Sequence, residues 1–142
     1  SGFWFPLDGL SIYRSDTRSM ARFGLLALNN GKWENNQIVP QNYMQFATTT
    51  SQNINVAYGY LWWLNGKSSY RLPQTQFQFN GKIIPTAPDD LYCALGKNDQ
   101  KIYVVPSRKL VIIRMGNAAD DENMALSDFD EVLWQKISAL IN

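Results

Sequence analysis

Two β-branched runs most constrain what this chain can fold into: Ile102 to Val105 and Leu110 to Met115, separated by Pro106-Ser107-Arg108-Lys109. Runs of this kind joined by a short proline-led connection predict an antiparallel hairpin. Leu91 to Leu95 predicts a third strand, joined to the first through Gly96-Lys97-Asn98-Asp99, so that the three form a meander. Leu110 to Ile113 is apolar at every position, the pattern of a central strand covered on each side. A helix closes the chain, with Ser127 as its cap and Asp130 three residues on in a capping-box arrangement. Phe129, Val132, Leu133, Lys136, Ile137, Leu140 and Ile141 share one face of that helix, which has the sheet to bury against.

Upstream, Ser15 and Asp16 are capping residues for a helix on which Met20, Phe23, Gly24 and Ala27 recur at three- and four-residue steps. Leu25, Leu26 and Leu28 widen the apolar surface beyond one stripe and predict a largely buried helix, stopped by Asn29-Asn30-Gly31. Pro40 opens a second, shorter helix through about Ala47. Ser1 to Tyr13 has no clean period and reads as a loop or short irregular strand. Tyr58 to Leu64 reads as a strand ended by Asn65-Gly66. Lys67 to Asp90, with Pro73, Pro85 and Pro88, reads as loops with one short strand over Gln76 to Phe79. The order of elements is α+β: an antiparallel sheet with flanking helices. At 142 residues the chain is one domain or a large piece of one.

Composition removes several kinds of function. Thirteen Lys and Arg against 12 Asp and Glu give a net charge of +1, so no basic field exists to attract nucleic acid or an anionic membrane. No run approaches the roughly 18 apolar residues of a membrane helix. Cys93 is the one cysteine, which leaves no internal disulfide or thiolate cluster, and its place in a strand predicts burial. There is no His, so Ser-His-Asp and Cys-His catalysis cannot operate within this chain. Serine catalysis with a Lys or Tyr base passes that filter. The chain begins Ser1-Gly2-Phe3-Trp4, without an initiator Met or signal peptide, and is expected to be a processed product or a stretch of a longer protein.

Four stretches carry a family resemblance. Arg18-Ser19-Met20-Ala21-Arg22-Phe23-Gly24-Leu25-Leu26 looks like an R-D-M-A-R-F-G-L-L helix with Ser19 in place of Asp. The stop Asn29-Asn30-Gly31-Lys32-Trp33 and the following Gln37-Ile38-Val39-Pro40 match the turn after it. Tyr58-Gly59-Tyr60-Leu61-Trp62-Trp63 resembles a Y-G-x-x-W-W strand. Tyr92 to Gln100, leading into Ile102 to Pro106, resembles an F-x-A-x-G-x-x-G-Q strand and hairpin, with Asp99 where the second Gly is usual. In this order, over nearly all 142 residues, the chain resembles the C-terminal part of the class C β-lactamase, penicillin-binding protein and esterase superfamily. The match is closest to the branch that includes 6-aminohexanoate-dimer hydrolases.

The resemblance implies the rest. Residues 1–142 would be the C-terminal portion of one β-lactamase-like domain, and the nucleophilic Ser of an S-x-x-K motif would come from an N-terminal part of the same protein. Ser107-Arg108-Lys109 has the wrong spacing for that motif, and Ser19, Ser51, Ser68, Ser69 and Ser138 have no Lys three residues on. Tyr43, Tyr58 and Tyr103 likewise lack the Asn of Y-x-N, so this chain alone is not expected to be active. Ala94-Leu95-Gly96 occupies the place of the K-T-G or H-x-G strand that binds substrate. Gly96 would let a substrate approach the backbone, and the Lys97 backbone N–H would supply half of an oxyanion hole. Ala94, lacking the Lys or His of better-known members, points away from penicillins. The expected substrates are small-molecule esters, amides or β-lactams, reached by an acyl-enzyme route with no metal or organic cofactor. The family implies an exported bacterial protein, periplasmic or at the cell surface. The alternative is a non-catalytic binding or pseudoenzyme domain of the same fold.

Blander roles are assigned to the other notable groups. Trp62 and Trp63 read as one ring in the core and one at the surface, and Arg18 and Arg22 as a solvated helix face or structural ion pairs. Asp89-Asp90 and Asp120-Asp121-Glu122 read as solvated loop acids.

Overall fold

A computed structural model describes residues 2–7, 9–73, 75–119 and 126–141. The predicted meander is its centre. Strands β8 (Tyr92–Gly96), β9 (Gln100–Val105) and β10 (Leu110–Arg114) pair antiparallel in sequence, and β5 (Trp63–Leu64) adds to the far edge of β8, giving the order β10-β9-β8-β5. A 3-10 turn over Pro106–Arg108, closed by Lys109 in the left-handed region (φ 48°), sets Leu110 opposite Val105. Period-two alternation then sorts the side chains. Cys93, Tyr103 and Val105 face the C-terminal helix α3 (Asp128–Ile141) and its buried Trp134. Tyr92, Ile102 and Val104 face the first helix, α1 (Thr17–Leu28), with its buried Ala27.

Strand β10 corrects one expectation. Among the described residues it is an edge strand, paired with β9 alone, whereas its unbroken apolar run predicts a central one. The run is explained by cover on both faces: Leu110 and Ile112 pack with the α3-side core, Val111 and Ile113 with the α1-side core.

Helix α1 starts as predicted, with the Asp16 carboxylate accepting the Ser19 N–H at 2.8 Å, and stops at left-handed Asn30 and Gly31. It is not largely buried, however. Only Gly24 and Ala27 are, while Phe23 and Leu25 are 49% and 40% exposed, because the sheet covers one side of the helix. The contact is close at Gly24, where an added Cβ would lie 2.5 Å from Val111 Cγ1. After the short ribbon β3 (Lys32–Trp33) and β4 (Asn36–Gln37), Pro40 opens α2 (Gln41–Ala47) as expected, burying Met44 and Ala47.

Other differences have local causes. The N-terminal stretch, read as a loop or irregular strand, forms an antiparallel ribbon of β1 (Phe3–Leu7) and β2 (Leu10–Arg14); its aromatics pair across strands, Trp4 on Tyr13 at 5.0 Å. Only the end of Tyr58 to Leu64 is strand, because Leu61 is left-handed (φ 64°) and the Gly59 N–H turns back to the Trp62 carbonyl. In the loop region the strand expected over Gln76 to Phe79 is instead β7 (Phe79–Asn80), held to β6 (Ser69–Tyr70) by stacking of Tyr70 on Phe79 at 5.1 Å. Asn65, read as a turn residue, is buried: its amide donates to the Ile84, Ala87 and Pro88 carbonyls and accepts the Ile84 N–H.

Helix α3 is rotated from its predicted phase. Val132, Lys136 and Leu140 are exposed, and the buried stripe runs through Asp130, Leu133, Trp134 and Ile137. Trp134 stands edge-on to Tyr103 at 5.5 Å, and Asp130 meets the sheet's buried Lys101 at 2.8 Å. Half of the capping box forms, the Ser127 N–H donating to the Asp130 carboxylate at 3.2 Å.

Candidate functional site

Strand β8 ends at Gly96 with extended backbone (φ −116°, ψ 164°), a conformation open to any residue, so Gly96 is not a turn glycine. A Cβ there would meet Gln100 Cβ at 3.3 Å and the Gln100 carbonyl at 3.4 Å. Lys97 follows, exposed, as the first residue of a 3-10 turn over Lys97–Asp99. All four predicted site residues, Ala94, Leu95, Gly96 and Lys97, line one cleft of about 640 Å³.

The walls of that cleft come from five parts of the chain. The β1–β2 ribbon contributes Phe5, Ile12, Tyr13 and Arg14; the start of α1 contributes Ser15 and Met20; β9 contributes Gln100 and Ile102. Met115 and Gly116 complete it after β10. The Ser15 hydroxyl is buried with no hydrogen-bond partner among the described residues. Of the lining side chains Arg14, Lys97 and Lys101 are cationic and none is acidic. Lys101 is already neutralised, so the positive character of the mouth comes from Arg14 and Lys97.

The neutralisation of Lys101 is a feature of the site that none of the motifs along the chain contains. Its ammonium, fully buried, lies 3.1 Å from Asp99 and 2.8 Å from Asp130. The Tyr103 hydroxyl donates to Asp130 at 2.5 Å, and the Asp99 carboxylate accepts the Ala119 N–H at 2.8 Å and the Ser127 hydroxyl at 3.1 Å. Burial alone pushes the Asp99 carboxyl up, but the Ala119 N–H, the Lys101 ammonium and the Ser127 hydroxyl together hold it below the ordinary carboxylate range. Burial, reinforced by the Asp130 carboxylate, drives the Tyr103 phenol far above its ordinary value. Asp99 sits at φ 56°, as the left-handed tolerance of Asp allows at this turn, directly after Asn98 at φ 57°.

Trp62 and Trp63 are both buried, at 6% and 8% exposure, because Trp62, just before β5, packs into the α1-side core and Trp63 into the α3-side core; the expectation of one surface ring is corrected. Arg18 and Arg22 are exposed. Asp89 pairs with Lys82, and Asp90 accepts from the Ser107 N–H and hydroxyl, so Asp90 fastens the β9–β10 turn. Asp120-Asp121-Glu122 lies outside the described residues. Cys93 is buried as expected, and burial, with the Asp130 carboxylate, raises its thiol well above the ordinary value. Among the described residues no group of three or more His, Cys, Asp or Glu could hold a metal ion, and no helix is long and apolar enough to cross a membrane.

The fold defines a class. The α+β arrangement, with its antiparallel sheet between helices, is that of part of a β-lactamase-like fold. A solved structure named "Putative 6-aminohexanoate-dimer hydrolase from Bacillus anthracis" superposes with a TM-score of 0.56 over 92% of this chain, at 21% identity. The chain spans 29% of that protein's length. No family model matches the chain, and no curated protein matches it.

Proposed function

We propose that this chain is the C-terminal portion of a serine hydrolase of the β-lactamase-like kind, cleaving an ester, amide or β-lactam through an acyl-enzyme. In this reading the nucleophilic Ser, its Lys and a Tyr come from an upstream segment of the same protein, at residues this chain does not contain. The chain contributes a substrate-binding wall, Ala94-Leu95-Gly96, and the Lys97 backbone N–H. That N–H and the amide of the nucleophile would together stabilise the negative oxygen of the tetrahedral intermediate, a contribution typically of about 2.7–4 kcal/mol per donor. The supporting observation is the cleft of about 640 Å³, which gathers these four residues from the sequence pattern along one wall.

Ala94 offers no cation, so a substrate carboxylate has no partner on the strand itself. Esters and amides are favoured over penicillins on that ground. An exported bacterial protein of the periplasm or cell surface fits the reading.

Intact mass of the full-length protein, before and after a fluorophosphonate probe, tests it. One adduct on an upstream Ser is expected, with none on this chain expressed by itself. Labelling of the isolated chain would refute the division of labour. A full-length protein that forms no adduct and turns over no ester would favour a non-catalytic binding domain, for which the substitutions at Ala94 and Asp99 leave room.

A further inference from the structure

Asn98 and Asp99 are consecutive non-glycine residues in the left-handed region, at φ 57° and 56°. Such backbone is uncommon and persists where surrounding contacts over-determine it. Three fasteners do so here. The Arg114 guanidinium donates to the Asn98 carbonyl at 3.0 Å, the Asp99 carbonyl at 3.2 Å and the Asn117 carbonyl at 2.5 Å. The Gln100 amide donates to the Asn98 carbonyl at 2.7 Å and the Gly116 carbonyl at 2.6 Å, and accepts the Gly116 N–H at 3.2 Å. From below, the buried Asp99 carboxylate joins the turn to Lys101, Ala119 and Ser127. The turn thus receives a guanidinium, an amide and a buried ion cluster together, and it includes and immediately follows the candidate donor Lys97.

We infer that Asp99 and Arg114 are positioning residues that fix the direction of the Lys97 N–H at the cleft. The inference rests on the proposed hydrolase reading. Neither side chain is placed against substrate; each acts through the turn backbone. The Asp99 carboxylate sets the turn's depth by tying it to the core, while the planar fork of Arg114 sets its tilt by gripping successive carbonyls. A change of about 1 Å in a catalytic donor can cost on the order of 100-fold in rate, so loosening the turn reads out in the chemical step rather than in binding.

The test uses the full-length protein with Asp99→Asn, which keeps the shape and left-handed tolerance but not the charge, and Arg114→Lys, which keeps the charge but not the fork. Asp89→Asn, in the exposed Lys82 pair, is the control. Steady-state ester hydrolysis, affinity for a boronate that mimics the tetrahedral oxyanion, and amide hydrogen exchange at Lys97 are measured together. Both variants are expected to lower kcat by about 10- to 100-fold with KM little changed, to weaken the boronate in proportion, and to speed exchange at Lys97; the control tracks wild type. Should Asp99→Asn fail to fold, Arg114→Lys carries the same readouts. Faster exchange with unchanged kcat would overturn the positioning role, and unchanged exchange would overturn the clamp. An inactive wild type would instead defeat the hydrolase reading, and with it the catalytic use of the turn.

Discussion

The buried cluster of Lys101, Asp99 and Asp130 allows a prediction whose size follows from its charge balance. With all three ionised the cluster carries one positive and two negative charges, and its side chains are at most 1% exposed. Lys101→Met keeps the length and apolar stem but leaves two buried carboxylates facing each other's field with no cation. Removing one partner of a buried ion pair typically costs about 3–5 kcal/mol. Here the value belongs at the upper end, because both carboxylates lose their cation, although Asp99 keeps Ala119 and Ser127 and Asp130 keeps Tyr103 and the Ser127 N–H. Asp130→Asn does the opposite: it leaves a balanced Lys101–Asp99 pair and an amide oxygen that still accepts from Tyr103. Its cost is the weakening of charge-assisted bonds to neutral ones, about 1–2 kcal/mol. Urea unfolding followed by tryptophan fluorescence gives both values, and the Lys101→Met loss corresponds to a fall in Tm of roughly 10–15 °C for a chain of this size. A Lys101→Met variant within 1 kcal/mol of wild type, or one at least as stable as Asp130→Asn at neutral pH, would refute the charge accounting.

The other expectations concern packing, acid stability and reactivity. Gly24→Ala forces a methyl to within 2.5 Å of Val111 and should destabilise the fold by about 1–3 kcal/mol in denaturant titrations; a neutral or stabilising result would mean that α1 lifts off the sheet freely. Trp134→Ala empties a fully buried site against Tyr103 and should cost about 3–5 kcal/mol, with Trp134→Phe losing much less. Because the Asp99 carboxyl is held below its ordinary range in the folded state, its stabilisation is present above the unfolded pKa near 4 and is lost as pH falls through the lower folded value. Asp99→Asn should therefore flatten the acid side of a stability–pH curve, and an unchanged acid limb would argue against that pairing. Cys93 should resist a thiol-specific disulfide reagent at pH 8 until denaturant is added, since burial both covers the sulfur and disfavours its thiolate; labelling in native buffer at the rate of a free thiol would contradict its placement.

The meander was legible because each of its strands obeys a local rule: β-branched runs of fixed length, a proline-led turn between two of them, and Gly96 to Asp99 as the other link. Asp99 was legible as a left-handed residue for the same reason, a preference of its own backbone. What local rules miss is what one left-handed residue or one buried charge does to its neighbours. Leu61 keeps the expected strand from starting before Trp63 through a single positive φ that nothing in Tyr58 to Leu64 announces.

The phase of α3 is the more instructive case, since the signal was present but lay in a different element. Read by hydrophobicity alone, Phe129, Val132, Leu140 and Lys136 belong on the inner face and Asp130 outside it. Yet β9 alternates, so that Lys101, Tyr103 and Val105 point to the side the helix must cover. A lysine on a covered face has to meet an anion there or be left as an uncompensated charge. Of the acids in the first turn, Asp128, Asp130 and Glu131, only Asp130 brings Trp134 inward with it at a four-residue step. The charge on the strand thus selects the rotation of the helix, and Asp130 so placed shares with Asp99 the lysine that holds the underside of the turn at the cleft.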